Sequence, residues 1–347
     1  MSIIVQNPGS LTTIQDAGRR GYQRFGVAAS GAVDVHAYAY ANILVGNQPT
    51  EAVLEATIAG PTLEFTSTAI IAVTGGDLTP ALNGMLITMY KAIKVKKGDI
   101  LSFHGRKTGC RAYIAFAGGL DIPKVMGSRS TYIKAKVGGL KGRKLQAGDI
   151  LNLREEVTNL ANLDHRRMEQ QVYTNDNTVR VLMGPQEHKY TEKGIRTFLN
   201  TPYKVSKEFD RMGCRLTGKK IELVDDGNII TDGIAYGSIQ VPDSGQPIIM
   251  LSDRQTTGGY GKIASIINVD MPAIAQSITG DTIRFREIDI QEAQDFFVSQ
   301  KHLYAKLAEK FNSPGYSEKP IWPVIYKKVS GGLAVGVRYK FTFEVIG

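Results

Sequence analysis

Between Ile239 and Ala264 the chain reads IQVPDSGQPIIMLSDRQTTGGYGKIA, where groups able to donate, accept or move protons crowd around glycine and proline. Asp253 and Tyr260 are its acid–base candidates, since each stands among donors that would fix a reacting proton. Gln240, Gln255 and Thr256 are suited to bind a carbonyl or an amide. Such a set fits chemistry on an amide, lactam or carboxyl group, where charge develops on oxygen and fixed donors stabilise it. The competing reading is a tight turn between strands, for which Gly, Pro, Asp and Ser are also the usual residues.

Other polar constellations accompany it. Gln15-Asp16-x-Gly18-Arg19 sets a carboxylate and a guanidinium around a turn. Ser30, Gly31 and Asp34 lead into a helix whose free N–H groups favour an anion, unless Asp34 satisfies them itself. Gly127-Ser-Arg-Ser-Thr-Tyr132 offers hydroxyls and one cation, Arg129, as a cradle for carboxylate or phosphate; it reads equally as a polar turn. Arg211 and Arg215 either bind an anion or pair with Asp210 and Glu208. No Walker A loop, no G-x-G-x-x-G after a strand, no H-E-x-x-H and no G-x-S-x-G is present. Histidines 36, 104, 165, 188 and 302 lack metal-ligand spacing, and Cys110 and Cys214 are too few for a disulfide framework.

The elements that must carry these groups are mostly short strands. Ala69–Gly75, Arg111–Gly119, Val179–Pro185 and the PIIML run are apolar stretches too short for helices and closed by turn residues. Two helices are predicted. One starts at an Asp34 cap and stops at Gly46-Asn47. The other runs from Asp289 to Phe311, with Ala293, Phe296, Phe297, Leu303, Leu307 and Phe311 as one apolar face. Beyond Pro314, alternation from Val337 to Val345 predicts a strand and, with WPVIYKKV, a hairpin.

A weak repeat predicts two related lobes. Gly98-Asp-Ile-Leu, Gly148-Asp-Ile-Leu and Gly280-Asp-Thr-Ile share a frame that reads as a turn entering a strand. Val27-Ala-Ala-Ser-Gly31 also echoes Val241-Pro-Asp-Ser-Gly245, which suggests that each lobe presents an edge to a shared cleft. The divisions are a first lobe over 1–155, a linker over 156–178, a second lobe over 179–288, and a C-terminal helix and hairpin over 289–347. A mainly β chain of antiparallel barrels or sandwiches fits better than a doubly wound α/β sheet.

At 347 residues, two domains are the natural expectation, and 22% charged residues place the chain among ordinary globular proteins. No apolar run is long enough to span a bilayer and MSIIVQNPGS is no signal sequence, so the expected location is cytoplasmic. The net charge of +9 raises the question of nucleic acid. Its clusters at Lys134–Lys144 and His165–Arg167 lack interleaved stacking aromatics, so a solvated basic surface is the reading taken.

The motifs QDAGR (15–19), SGAVD (30–34), ANILVGN (41–47), AGGLD (117–121), GSRSTY (127–132), DRMGCRL (210–216) and IQVP (239–242) with DRQTTGGY (253–260) occur in this order. Together they resemble the biotin-dependent carboxyltransferase-like family, over roughly Ile3 to Ile288. That family includes the C subunit of 5-oxoprolinase, the KipA proteins and the carboxyltransferase part of urea amidolyase, also called allophanate hydrolase subunit 2-like. The resemblance implies two cyclophilin-like β-barrel lobes. It also implies two companions: a smaller cyclophilin-like chain of the 5-oxoprolinase B or KipI type, and a third, A-like chain. It implies ATP-dependent opening of 5-oxo-L-proline to glutamate by the complex. The alternatives are carboxyl transfer from carboxybiotin to urea, or KipA-type regulation of a kinase inhibitor. No cofactor site is identified in this chain; ATP is used by the complex, and biotin, with no Met-Lys-Met site here, would arrive on another chain. Under this reading substrate lies between the lobes, at an edge that includes Ser30 and Asp34. Asp253 or Tyr260 moves protons, Arg129 and Arg211 hold carboxylate or phosphate, and Gln240, Gln255 and Thr256 polarise the lactam.

Overall fold

The computed structural model describes residues 1–317. In the first lobe two antiparallel sheets share one core. One sheet orders its strands Ile150–Asn152, Ser2–Asn7, Thr62–Phe65, Ile100–Phe103, Pro80–Leu82 and Met85–Leu86. The other orders Leu11–Gln15, Val53–Thr57, Thr108–Phe116, Ala69–Asp77 and Ala92–Val95. Val5, Leu63 and Phe65 of the first sheet and Leu54, Ile71 and Ile114 of the second lie in one buried cluster. The strands Ala69–Asp77 and Thr108–Phe116 are buried almost throughout, which is why they read as unbroken apolar runs.

The second lobe closes on itself. Seven strands (Asp176–Met183, Lys262–Ile266, Ser238–Gln240, Ile248–Met250, Gly213–Gly218, Tyr203–Phe209 and Thr282–Glu287) form a barrel. All its pairs are antiparallel except the one that seals it, between Asp176–Met183 and Thr282–Glu287. It holds its own core, including Val179, Leu216, Ile249 and Phe285. Asn228–Gly233 and Thr257–Tyr260 stand apart as a two-stranded ribbon. The chain is thus mainly β and two-lobed, and only the second lobe closes its hydrogen-bond ladder completely.

The Gly-Asp frame is one turn used three times. Asp99, Asp149 and Asp281 each accept, through Oδ2, the N–H three residues back: Lys96 at 2.7 Å, Gln146 at 2.7 Å and Ile278 at 2.9 Å. Gly98, Gly148 and Gly280 have φ of 86°, 85° and 94°, where a side chain would be strained. Each turn launches a strand, at Ile100, Ile150 and Thr282. The other echo does not unite the lobes in the same way. Ser30–Gly31 packs against Gly18 and Arg211, whereas Gly245 turns against Ile221.

Four α-helices are described: α1 (Val35–Leu44), α2 (Glu192–Asn200), α3 (Met271–Ala275) and α4 (Ile290–Asn312). Asp34 caps α1 and Asp289 caps α4, as their sequences predict. Sequence reasoning missed both α2 and α3; α2 does carry a signal, a Thr191 cap followed by Ile195, Phe198 and Leu199 on one face, whereas α3 is barely more than a turn. On α4 the predicted face is narrower than expected: Phe296, Leu307 and Phe311 are buried, but Phe297 points outward. This helix is no separate unit, because Leu307 and Phe311 join the first-lobe core and Tyr304 Oη lies 3.1 Å from His36 Nδ1 of α1. The stretch read as a linker is packed as well. Arg166 is fully buried and donates to Leu44 O, Phe311 O and Asn312 Oδ1. The predicted hairpin lies outside the described residues. Among the described residues no helix is long and apolar enough to cross a membrane.

Candidate functional site

The lobes meet around Arg211. Pairing of Gly213–Gly218 with Ile248–Met250 continues outward through Leu251 N–H to Met212 O and Asp253 N–H to Arg211 O, which sets Arg211 beside Asp253. Its guanidinium donates to Asp253 Oδ2 at 2.9 Å and Oδ1 at 3.1 Å, and to Gly31 O at 2.7 Å. It also pairs with Glu55 of the first lobe. Glu55 holds Val33 N–H and the Tyr113 hydroxyl, each at 2.9 Å, and the same hydroxyl accepts from Asp34 N–H at 2.7 Å. All of these side chains are buried. Burial opposes the charge of Arg211, but Asp253 and Glu55 outweigh it and raise its pKa above the ordinary arginine value.

A second clasp uses Gln276, from the end of α3. Its Oε1 accepts the N–H groups of Cys110 and Arg111, both at 2.9 Å, where the strand Thr108–Phe116 is bulged. Its Nε2 donates to Arg111 O at 2.9 Å and Asp34 Oδ2 at 2.8 Å. Gly76 and Gly109 clear the space, since a Cβ there would fall 2.9 and 2.7 Å from Gln276 Oε1. Asp34 additionally receives Tyr173 Oη at 2.9 Å. Burial pushes the Asp34 carboxyl up, against hydrogen bonds from Ala37, Gln276, Tyr173 and His36 that favour its charge.

The predicted site residues fall into three places. Ser30, Asp34, Arg211 and Asp253 lie in this seam, where the Ser30 hydroxyl is buried without a partner. Gln240, Gln255, Thr256 and Tyr260 lie at the ribbon: Gln240 Nε2 donates to Tyr260 O at 3.2 Å, and Thr256 O accepts Ile234 N–H. Gln255 and Tyr260 are exposed, the latter by 41%. Arg129 stands apart from both. Its Nε donates to Ile122 O at 2.8 Å and its Nη1 approaches Glu51 at 3.6 Å.

The expectation that Arg211 offers an open guanidinium to an anion is therefore corrected, because Asp253, Glu55 and Gly31 O already take it. Arg129 spends its Nε on Ile122 O and points Nη1 toward Glu51. The GSRST segment is the polar turn, organised by Asp16. Ser128 and Ser130 hydroxyls both donate to Asp16 Oδ1 at 2.6 Å, and Arg129 N–H donates to Oδ2. Sequence reasoning missed Glu55 and Gln276. Glu55 does carry a signal, a lone carboxylate in the apolar strand Val53–Thr57. Gln276 carries none.

Chemically, the seam is a closed, internally paired charge cluster, and the ribbon supplies the accessible polar groups. A shallow, open depression lies beside the ribbon, lined by Gln186, Lys189, Asp226, Asn228, Ile230 and Asp232. Asn228 pairs with Tyr260 across the ribbon. Among the described residues no group of three or more His, Cys, Asp or Glu is placed to ligate a metal.

Residues 25–287 match the family model described as carboxyltransferase domain, subdomain A and B. The chain is 35% identical over 305 residues to the C subunit of 5-oxoprolinase from Escherichia coli (strain K12), covering 88% of this chain and 97% of that one. It is 33% identical over 318 residues to the urea amidolyase of Lachancea kluyveri, covering 85% of this chain but 17% of that one. Its fold matches the crystal structure of Kluyveromyces lactis urea carboxylase with a TM-score of 0.81 at 30% identity, over 95% of this chain and 32% of that one. The chain spans about a third of the solved urea carboxylase and a smaller part of the amidolyase.

Proposed function

The chain belongs to the family of carboxyltransferase domains, subdomains A and B, and from this premise we propose that it is the C subunit of an ATP-dependent 5-oxoprolinase complex. The observation that carries the reading is coverage. The match to the Escherichia coli C subunit runs along nearly the whole of both chains, whereas urea amidolyase is several times longer than the part it shares. The complex would convert 5-oxo-L-proline to L-glutamate together with two further chains, a smaller B-like one and an A-like one. Hydrolysis of the lactam breaks its C–N bond; a water oxygen ends on the new carboxylate and the nitrogen takes a proton to become the amine.

In this reading the reaction is served from the ribbon side of the 251–260 loop. Tyr260 is the exposed acid–base group, with Gln255 and Thr256 as the polar groups beside it. Asp253, with both oxygens held by Arg211, anchors the base of the loop and fixes where its tip stands. The residues present do not fit ATP in the seam. Arg211 is engaged as above and Arg254 is buried and donates to Ile234 O and Leu251 O, so neither presents an open guanidinium to a triphosphate. The nucleotide is accordingly assigned to the companion chains. The test is reconstitution with those chains, following glutamate released from 5-oxoproline and ATP; no release by the complete complex overturns the reading.

A second reading, carboxyl transfer, is favoured by the family model itself and by the match to urea carboxylase. Consumption of free carboxybiotin by the purified chain, without ATP or oxoproline, would select it.

A further inference from the structure

The basic charge of this chain is concentrated in two loops that the fold joins. Residues 17–33 contain three arginines and no carboxylate, and residues 122–148 contain seven basic side chains and no carboxylate. Arg19 ties the loops together: its Nε donates to Val125 O at 3.0 Å and its Nη2 to Ser130 O at 2.9 Å. Arg129 and Arg143 are answered by Glu51 and Asp149. Arg20, Arg24, Lys124, Lys134 and Lys136 lie outside those pairs and are exposed. Among them stand three exposed apolar side chains, Phe25 at 64% exposure, Met126 at 39% and Ile133 at 38%.

This surface adjoins the loop that carries the candidate chemistry. Gln23 Nε2 donates to Ile234 O at 3.3 Å, and the same carbonyl accepts Arg254 Nε at 3.0 Å. Resting on the multi-chain reading above, we propose that the two joined loops are the docking face for an acidic surface of a companion protein of the complex, which thereby comes to lie over the 251–260 loop. Apolar side chains within a charged surround are the anatomy of a protein interface. A single-stranded nucleic acid would need a row of open aromatic faces, and the ring of Phe25 is already overlain by Arg24, whose Cζ is 4.7 Å from its centroid. The chain's own residues 318–347 are a poor occupant, since they carry five basic residues against two acidic ones.

The test compares the full-length chain with Lys124→Glu/Lys134→Glu/Lys136→Glu, with Phe25→Ser, and with a control reversal of the exposed Lys94, Lys96 and Lys97. Affinity for the purified companion chains is measured by titration calorimetry at about 50 and about 300 mM NaCl. The expected result is binding by wild type that weakens with salt, a loss of about tenfold or more in the triple variant with a flatter salt dependence, a comparable loss for Phe25→Ser, and no change in the control. Equal affinity of the triple variant and wild type overturns the proposal, as does no binding by the wild type. So does a triple variant that loses only retention on a single-stranded RNA. Melting curves that coincide with wild type exclude misfolding; a variant that melts early is replaced by Lys134→Gln/Lys136→Gln, with the same outcomes. If the assembled complex binds as expected but releases no glutamate, the activity reading fails while the interface stands. If it releases glutamate and the triple variant is indistinguishable, the interface fails while the activity stands.

Discussion

One polar segment of this chain serves two opposite ends. At Asp253 and Arg254 the side chains are buried, Asp253 against the Arg211 guanidinium and Arg254 against the carbonyls of Ile234 and Leu251. A few residues on, Gln255 and Tyr260 face outward. The difference follows from what lies opposite. Asp253 faces Arg211 and, through it, Glu55 of the other lobe, while Thr257–Tyr260 is laddered only to the narrow, exposed ribbon strand Asn228–Gly233. Polar density in a sequence therefore does not mark a reactive centre; burial and pairing decide which of its members are still available to a substrate.

The comparison breaks most sharply at Arg211. Removing one partner of a buried ion pair strands the other, at a cost of about 3–5 kcal/mol. Arg211→Met leaves both Glu55 and Asp253 buried without their cation, so urea denaturation is expected to show a loss of that size. A loss under about 1 kcal/mol would mean that the lobes are not held by this cluster. Gln276→Leu comes next, leaving the N–H groups of Cys110 and Arg111 unsatisfied at about 1–3 kcal/mol each. Its signature is earlier hydrogen exchange at those two amides, which a general loss of packing would not single out.

The buried side also makes a pH prediction. His36 follows the Asp34 cap and is packed against Tyr304, with Asp270 and Lys301 as the charges that act on it. Burial lowers its pKa from 6.5 to about 4. The unfolded chain therefore takes up a proton that the folded chain refuses, and stability falls as pH drops from 6.5 toward 4. At about 1.4 kcal/mol per unit, the loss between pH 6.5 and 4.5 is about 2–3 kcal/mol from this residue. Asp34 acts with the opposite sign, because its raised carboxyl pKa makes stability fall as pH rises through the acid range. The difference between wild type and His36→Gln isolates the histidine, and a wild-type curve parallel to the variant's would remove the claim.

Local features of this architecture were legible, and contacts between lobes were not. The caps at Asp34 and Asp289 and the thrice-used Gly-Asp turn depend on neighbours within three residues, so spacing alone reveals them. The density around Asp253 was also visible. Its meaning was not, because Glu55 lies about two hundred residues earlier and no local pattern ties them. Arg129 shows the converse: its serine-rich surroundings read equally as an anion cradle or a polar turn, and the distant Asp16, by taking the hydroxyls, decides for the turn. Phe297 looked like a core residue on α4 only because helical spacing cannot say how wide a stripe the partner surface covers.

The smallest effect on stability is expected at the ribbon, and it is the most discriminating. Tyr260→Phe removes one exposed hydroxyl and no described packing, and Gln255→Ala trims an exposed side chain held by a single long contact to Gln240 at 3.5 Å. Each should change stability by no more than about 0.5 kcal/mol. If Tyr260 transfers a proton, its loss should nonetheless slow glutamate release by the assembled complex by about a hundredfold or more. Gln255→Ala, which removes a polar contact and no acid–base group, should raise KM more than it lowers kcat. Conservative changes at the seam should give the opposite profile: Asp253→Asn keeps the shape and loses charge, so the melting temperature falls and the rate follows only as folded protein is lost. Should Asp253→Asn instead abolish turnover at full stability while Tyr260→Phe stays active, the roles assigned to the two regions exchange, and the proton carrier is the buried carboxylate.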